Sequence, residues 1–132
     1  MADYWKESPP ILREFLNYHE SILSHSAQTV DEYFLALRGF FRYLKMTRNP
    51  DLADVPFQEI SILDVDLDFV SKTQLSEIYG FLTFLTGGGA FGKAESTTRA
   101  RKCASIRSFY NYLCVHARVM TADPTQALNN PK

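Results

Sequence analysis

The sequence predicts an all-α fold: four helices, a short fifth near the C-terminus, and no sheet. Two observations carry this. Apolar residues recur at three-and-four spacing in four separate stretches, the pattern of helices that each bury one face. The single alternating run, ISILDVDLDF over residues 60–69, has no second strand-like run to pair with. At 132 residues, 45% hydrophobic and 14% aromatic, the chain is long enough for one proper core and too short for two sizeable domains. One compact domain is expected over residues 1–128.

The first helix is expected over about 9–24, with Ser8 as N-cap and Pro9 at the first helical position. Its stripe runs through Ile11, Leu12, Phe15, Leu16, His19, Ile22 and Leu23. His19 reads as a partly buried, hydrogen-bonded histidine, because no second ligand type sits at ligand spacing on its face. The second helix, about 27–46, is capped by Ser26, with Thr29 and Glu32 offering a second capping box one turn later. Val30, Tyr33, Phe34, Leu37, Phe40, Phe41 and Leu44 form its stripe. Arg38, Arg42 and Lys45 lie along one side, where cations late in a helix complement its dipole. Residues 47–70, with Pro50, Pro56 and the acidic alternation, read as an ordered connector that tucks Ile62, Val65 and Leu67 onto the bundle.

Ser71 and Gln74 predict a capping box for a third helix over about 72–86, which Gly87, Gly88 and Gly89 end. The fourth helix spans about 96–118. One flank carries Cys103, Ile106, Phe109, Tyr110, Leu113, Cys114 and Ala117, and belongs in a core. The opposite flank collects Thr97, Arg101, Ser105 and Ser108, with Lys102 and Arg107 at its margins. Ser96 is placed to cap the first turn, whose free N–H groups suit an anion such as a phosphate. Asp123 then caps a short helix over about 124–129, with Pro124 first and Gln126 third.

Charge is unevenly placed along a chain whose formal net charge is only −1. Between residues 91 and 118, six cations face Glu95 alone, a net of +5; between 49 and 80, seven acids face Lys72 alone, a net of −6. A helix with one apolar and one charged face is the default of any soluble protein, so it is this local sign that points to a polyanion. No apolar run reaches the roughly 20 residues that span a bilayer, and the N-terminus lacks the apolar core of a signal peptide, so a cytoplasmic protein with no membrane partner is expected. Cys103 and Cys114 lie about 16 Å apart along one helix at 1.5 Å rise per residue, too far for a disulfide. With no histidine cluster near them, they read as core thiols. Gly87, Gly92 and Lys93 approach a nucleotide-binding loop, but Ala94 stands where that loop needs the hydroxyl that holds Mg²⁺. No metal, no cofactor and no defensible nucleophile with its base are expected.

Two blocks resemble one family. SAQTVDEYFLALRGFFRYLK is similar to the second helix of tyrosine recombinases of the phage integrase and Xer type: Ser, two residues, Thr, three residues, Tyr, then a leucine and aromatic run. STTRARKCASIRSFYNYLCVHARVMTADPTQALNNPK resembles that family's fourth helix and exit linker, with its Thr-x-x-Arg start, Arg-Ser-Phe-Tyr centre and closing Pro-Lys. The order and separation of the blocks make the combined match specific, and it covers essentially the whole chain. The resemblance implies the N-terminal core-binding, SAM-like domain: an orthogonal bundle of four helices in crossed pairs, half of a C-shaped clamp around duplex DNA. Residues 129–132 would begin the linker to a C-terminal catalytic domain that this chain lacks. His116-Ala117-Arg118 departs from the family's His-x-x-Arg spacing, so the chain is expected to bind DNA without cutting it.

Carried over by position, the DNA-facing residues implied are Ser26, Gln28 and Thr29 on the second helix, and Thr97, Thr98, Arg101, Lys102 and Ser105 on the fourth. Arg101 is placed to reach a phosphate or a guanine edge. Arg107 also matches, with a DNA contact and a structural role equally open, and Asp31 and Glu32 stand close to the DNA side of the second helix. The resemblance further implies a monomeric isolated domain and a full-length protein that assembles as a tetramer on DNA for integration and recombination. The competing reading is a helical protein–protein interaction module that uses the acidic connector over 51–68.

Overall fold

A computed structural model describes residues 4–87 and 96–128. All of its regular structure there is helical, with no strand. The chain divides into two compact units, Met1–Val70 and Ser71–Lys132. Lys93 and Ala94 of the loop discussed above, Glu95, and the expected linker over 129–132 lie outside the described residues.

The first unit begins with a short helix the periodicity does not predict, α1 (Tyr4–Glu7). α2 (Pro10–Asn17) follows, and its N-cap is Pro9 rather than Ser8. Pro10 removes one of the two N–H donors that a capping hydroxyl at Ser8 would serve, and the helix starts one residue later. Ser8 is instead fully buried, and its hydroxyl has no hydrogen-bond partner. After Asn17 the helix widens into a π turn, Tyr18–Ile22. That wider i→i+5 winding rotates the last residues off the stripe, so Ile22 and Leu23, expected in the core, stand 68% and 43% exposed.

α3 (Ala27–Arg48) is the long helix expected there, two residues longer at its end. Its stripe is buried as the spacing requires: Val30, Phe34, Leu37, Phe40, Phe41 and Leu44 are all inaccessible, and α2 packs on it with Leu12, Phe15 and Leu16. The connector is ordered. Short 3₁₀ turns at Pro50–Leu52 and Phe57–Glu59 lead to α4 (Leu67–Ser71). Ile60, Ile62, Val65 and Val70 are buried, while Leu67, expected among them, is half-buried.

The cations of α3 hold this unit together. Arg42 is buried, donates from Nε to the Ile60 carbonyl at 2.9 Å, and lies 3.6 Å from the Glu7 carboxylate. Arg38 grips both oxygens of Glu7 at 3.2 and 3.1 Å. Burial first, and the neighbouring Arg38 charge second, pull the Arg42 guanidinium below its ordinary range, with Glu7 opposing. Lys45 donates to the Ser61 carbonyl at 2.7 Å and to Asp64 at 2.6 Å. Arg48 donates to the Phe69 carbonyl at 2.8 Å, with its guanidinium 4.5 Å from that ring's centroid. A row of charges that suits the helix dipole thus serves mainly to lash the N-terminal helix and the connector to α3.

In the second unit the third predicted helix is α5 (Leu75–Thr86), three residues shorter at its start. The capping pair is Gln74 and Glu77, not Ser71 and Gln74: the Glu77 carboxylate accepts the Gln74 N–H at 2.9 Å. Ser71 is spent as the last residue of α4. Gly87 closes α5, its N–H donating to the Thr83 carbonyl at 3.1 Å, but with φ −80° it does not use glycine's left-handed freedom. α6 (Ser96–Asn111) starts with Ser96 as its first residue and ends in a second π turn, Tyr112–His116. Cys103, Ile106, Phe109, Tyr110 and Leu113 are buried as expected, and the Tyr110 hydroxyl donates to Thr73 Oγ1 at 2.7 Å.

The short C-terminal helix expected over 124–129 is a turn at 124–127. The Asp123 carboxylate accepts both the backbone N–H and the hydroxyl of Thr125, at 2.8 and 2.6 Å, and the bonds that follow are of i→i+3 type, Gln126 to Asp123 and Leu128 to Thr125. An Asx turn satisfied in this way gives the backbone an alternative to continuing as a helix.

Both π turns close alike. The Leu23 N–H reaches the Tyr18 carbonyl at 3.1 Å and His25 reaches His19 at 2.9 Å; Ala117 reaches Tyr112 at 2.8 Å and Val119 reaches Leu113 at 2.9 Å. Each closure puts a non-glycine residue in the left-handed region, Ser24 at φ 57° and Arg118 at φ 55°.

Candidate nucleic-acid interface

The residues that the family resemblance places on DNA fall into two groups, one at the start of α3 in the first unit and one at the start of α6 in the second. At α3, Ser26 is the N-cap expected: its hydroxyl accepts the Thr29 N–H at 3.2 Å and pairs with the Thr29 hydroxyl at 3.0 Å. The second capping option, Thr29 with Glu32, is not used, because the helix already begins at Ala27. Ser26 and Gln28 are exposed and Thr29 is half-buried, with Asp31 half-buried and Glu32 exposed one turn on.

At α6, Ser96, Thr97, Thr98 and Arg101 are exposed, while Arg99 and Lys102 are half-buried. Ser105, expected on the same open flank, is only 6% exposed, and its hydroxyl donates to the Arg101 carbonyl at 3.0 Å. A serine that bonds the carbonyl four residues back has its polar atom satisfied, so it can face the interior at little cost. Arg107 is half-buried and donates from its guanidinium to the Leu128 carbonyl. It also lines an open polar groove of about 470 Å³ with Ser108, Asn111, Asp123, Thr125 and Gln126. Of the fourth-helix positions, Thr97, Thr98 and Arg101 are therefore outward, Lys102 is partly so, Ser105 is turned in, and Arg107 ties down the C-terminal turn.

The charge asymmetry follows the division into units. Residues 1–70 hold six Lys and Arg against twelve Asp and Glu, a net of −6, whereas residues 71–132 hold eight against three, a net of +5. The first unit is thus net acidic and the second net basic.

The two cysteines are free. Cys103 is fully buried, and burial pushes its thiol up from the ordinary range with Arg107 opposing. Burial, then Asp123, pushes Cys114 up as well. Neither has the depressed pKa of a nucleophile. Among the described residues no group of three or more His, Cys, Asp or Glu is placed to hold a metal ion, and no helix is long and apolar enough to cross a membrane.

Sequence reasoning missed His25. The Ser24 turn folds it back so that its Nδ1 lies 3.0 Å from that of His19, the neighbour His19 was expected to lack. The signal available was the break SHSAQT itself, which supplies a histidine where the chain must reverse.

No family model and no solved structure matches the chain. It is 44% identical over 124 residues to the tyrosine recombinase XerC of Caldanaerobacter subterraneus subsp. tengcongensis, a match that covers 94% of this chain and 34% of that protein. It is 30% identical over 123 residues to the tyrosine recombinase XerC of Myxococcus xanthus, covering 93% of this chain and 33% of the relative. Along nearly its whole length the chain is thus related to the Xer-like tyrosine recombinases, and it spans about a third of the length of the relatives it matches.

Proposed function

We propose that this chain is the N-terminal, DNA-gripping part of a site-specific tyrosine recombinase, and that the residues that cut and rejoin DNA lie in the rest of a longer protein. The observation that carries this reading is the 44% identity to a tyrosine recombinase over 94% of the chain. Residues 1–128 act as the binding domain and 129–132 begin a linker. Duplex DNA is the partner, held as one half of a clamp, and the full-length protein works as a tetramer in recombination or integration. The isolated chain is a monomer without strand-cutting activity.

The contacts favoured are those of α6. Thr97, Thr98 and Arg101 are exposed on its first turns, inside the unit of net positive charge, and hydroxyls with a guanidinium suit phosphate oxygens. Ser26 and Gln28 are also outward, but Asp31 and Glu32 follow within a turn, so α3 contributes register more than affinity. The interaction-module reading loses ground because parts of the acidic connector are already occupied: Asp64 binds Lys45, and Asp66 accepts the Phe69 N–H at 2.9 Å.

Fluorescence anisotropy of a labelled long duplex at low salt tests the proposal. The chain should bind, and binding should weaken steeply with added salt as counterions are released. Absence of binding at the lowest salt, or binding indifferent to salt, would remove the DNA reading.

A further inference from the structure

The turn between α2 and α3 holds an arrangement that DNA binding does not call for. Ser24, at φ 57°, reverses the chain, and the His25 ring comes to lie over the His19 ring with centroids 4.9 Å apart and planes inclined by 29°. The two Nδ1 atoms are 3.0 Å apart. His19 is 5% exposed and its ring is walled by Phe15 at 4.6 Å, Tyr18 at 5.5 Å and Tyr33 at 4.6 Å between centroids, whereas His25 is exposed. One imidazole is thus fixed by its surroundings and the other faces water.

Two imidazole nitrogens bound to one metal ion, each at about 2.0–2.1 Å, lie about 2.8–3.0 Å apart when they occupy adjacent corners of a square or octahedron, and about 3.3–3.4 Å apart in a tetrahedron. The observed spacing fits adjacent corners as it stands and reaches a tetrahedron by opening a few tenths of an ångström. We propose that Nδ1 of His19 and Nδ1 of His25 form a paired ligand set for a divalent transition metal, with Cu²⁺ and Ni²⁺ favoured over Zn²⁺ by geometry. In the pair one ring donates its Nδ1–H to the other; binding the ion moves that proton to the Nε2 of the same ring, so that both neutral rings present an Nδ1 lone pair and carry their one proton on Nε2. Solvent fills the remaining positions on the exposed His25 side. With two protein ligands the site is selective in geometry and modest in strength. Its effect is to pin the π turn that follows α2 to His25, the residue immediately before the α3 N-cap.

The test uses the 132-residue chain, titrated with Cu²⁺ and with Ni²⁺ in a non-coordinating buffer. Wild type should take up one ion per chain, its Cu²⁺ complex should show two equatorial nitrogens by electron paramagnetic resonance, and its melting temperature should rise with Ni²⁺. His25→Ala, an exposed change that leaves the core intact, should weaken uptake by at least about tenfold and abolish the thermal shift. His116→Ala removes the third histidine of the chain and should leave both unchanged. No stoichiometric uptake by wild type, equal uptake by the His25 variant, or loss in the His116 variant would each overturn the site.

Discussion

Arg101 is the side chain on which the DNA-binding proposal is most exposed. It stands outward near the start of α6 while its own carbonyl accepts the Ser105 hydroxyl, so the backbone beneath it is braced and the guanidinium is left to solvent. Arg101→Ala should therefore keep the fold and weaken duplex binding. If the lost contact is to phosphate, the magnitude of the salt slope falls by about 0.9; if it is to a base edge, the loss is about 1–3 kcal/mol on the preferred sequence and preference relaxes. Ser105→Ala, in contrast, should leave DNA affinity unchanged, and anisotropy titrations of both variants would separate these outcomes. The 100° periodicity placed Ser105 on the open flank with Arg101, and the structure turns it in. Its burial was not legible, because a hydroxyl can satisfy itself on its own helix and so travel into a core that the sequence pattern reserves for apolar residues.

At the scale of elements, the long stripes were legible and the ends were not. α3 and the apolar flank of α6 follow directly from their spacing, since burial of a repeated face dominates whatever local preferences compete with it. The ends are decided by single hydrogen bonds: Glu77 rather than Ser71 sets the start of α5, and Asp123 stops a helix at 124–127 by serving Thr125 twice. The role of Arg42 was hidden for a related reason, because its partner Glu7 lies on a four-residue helix with no periodicity to announce it. Arg42→Ala should destabilise the chain by about 1.5–3 kcal/mol through the loss of a charged hydrogen bond to the buried Ile60 carbonyl, measurable by urea denaturation. The left-handed closure after α6 gives an opposite case. Arg118→Gly should raise stability by up to about 1 kcal/mol, strain relief offset by added freedom in the unfolded chain, while Arg118→Val should lower it, as paired thermal melts would reveal.

For the whole molecule, the division of charge between the two units says more about partners than the net value of −1 does. If the proposal that the cutting residues lie elsewhere is right, the chain should leave supercoiled plasmid neither nicked nor relaxed, and a denaturing gel should find no covalent DNA adduct on any of its tyrosines. The sequence carried the family through two motif blocks, but motifs are silent on which matched positions face outward, so Ser105 entered the candidate list on the same footing as Arg101, and Arg107 entered it with a structural role equally open. The π turns have a consequence of another kind. A turn wound from i to i+5 already contains one residue more than an α turn needs, so removing Val115, which is 54% exposed, lets Tyr112–His116 tighten into ordinary helix with the flanking chain still in register. Removing Ile106 from the regular part of α6 would instead rotate every following side chain by about 100° and empty the core. The single-residue deletion at 115 should melt cooperatively with its helix content kept, and the one at 106 should not fold. Chain length, usually the least negotiable property of a helix, is adjustable at a π turn.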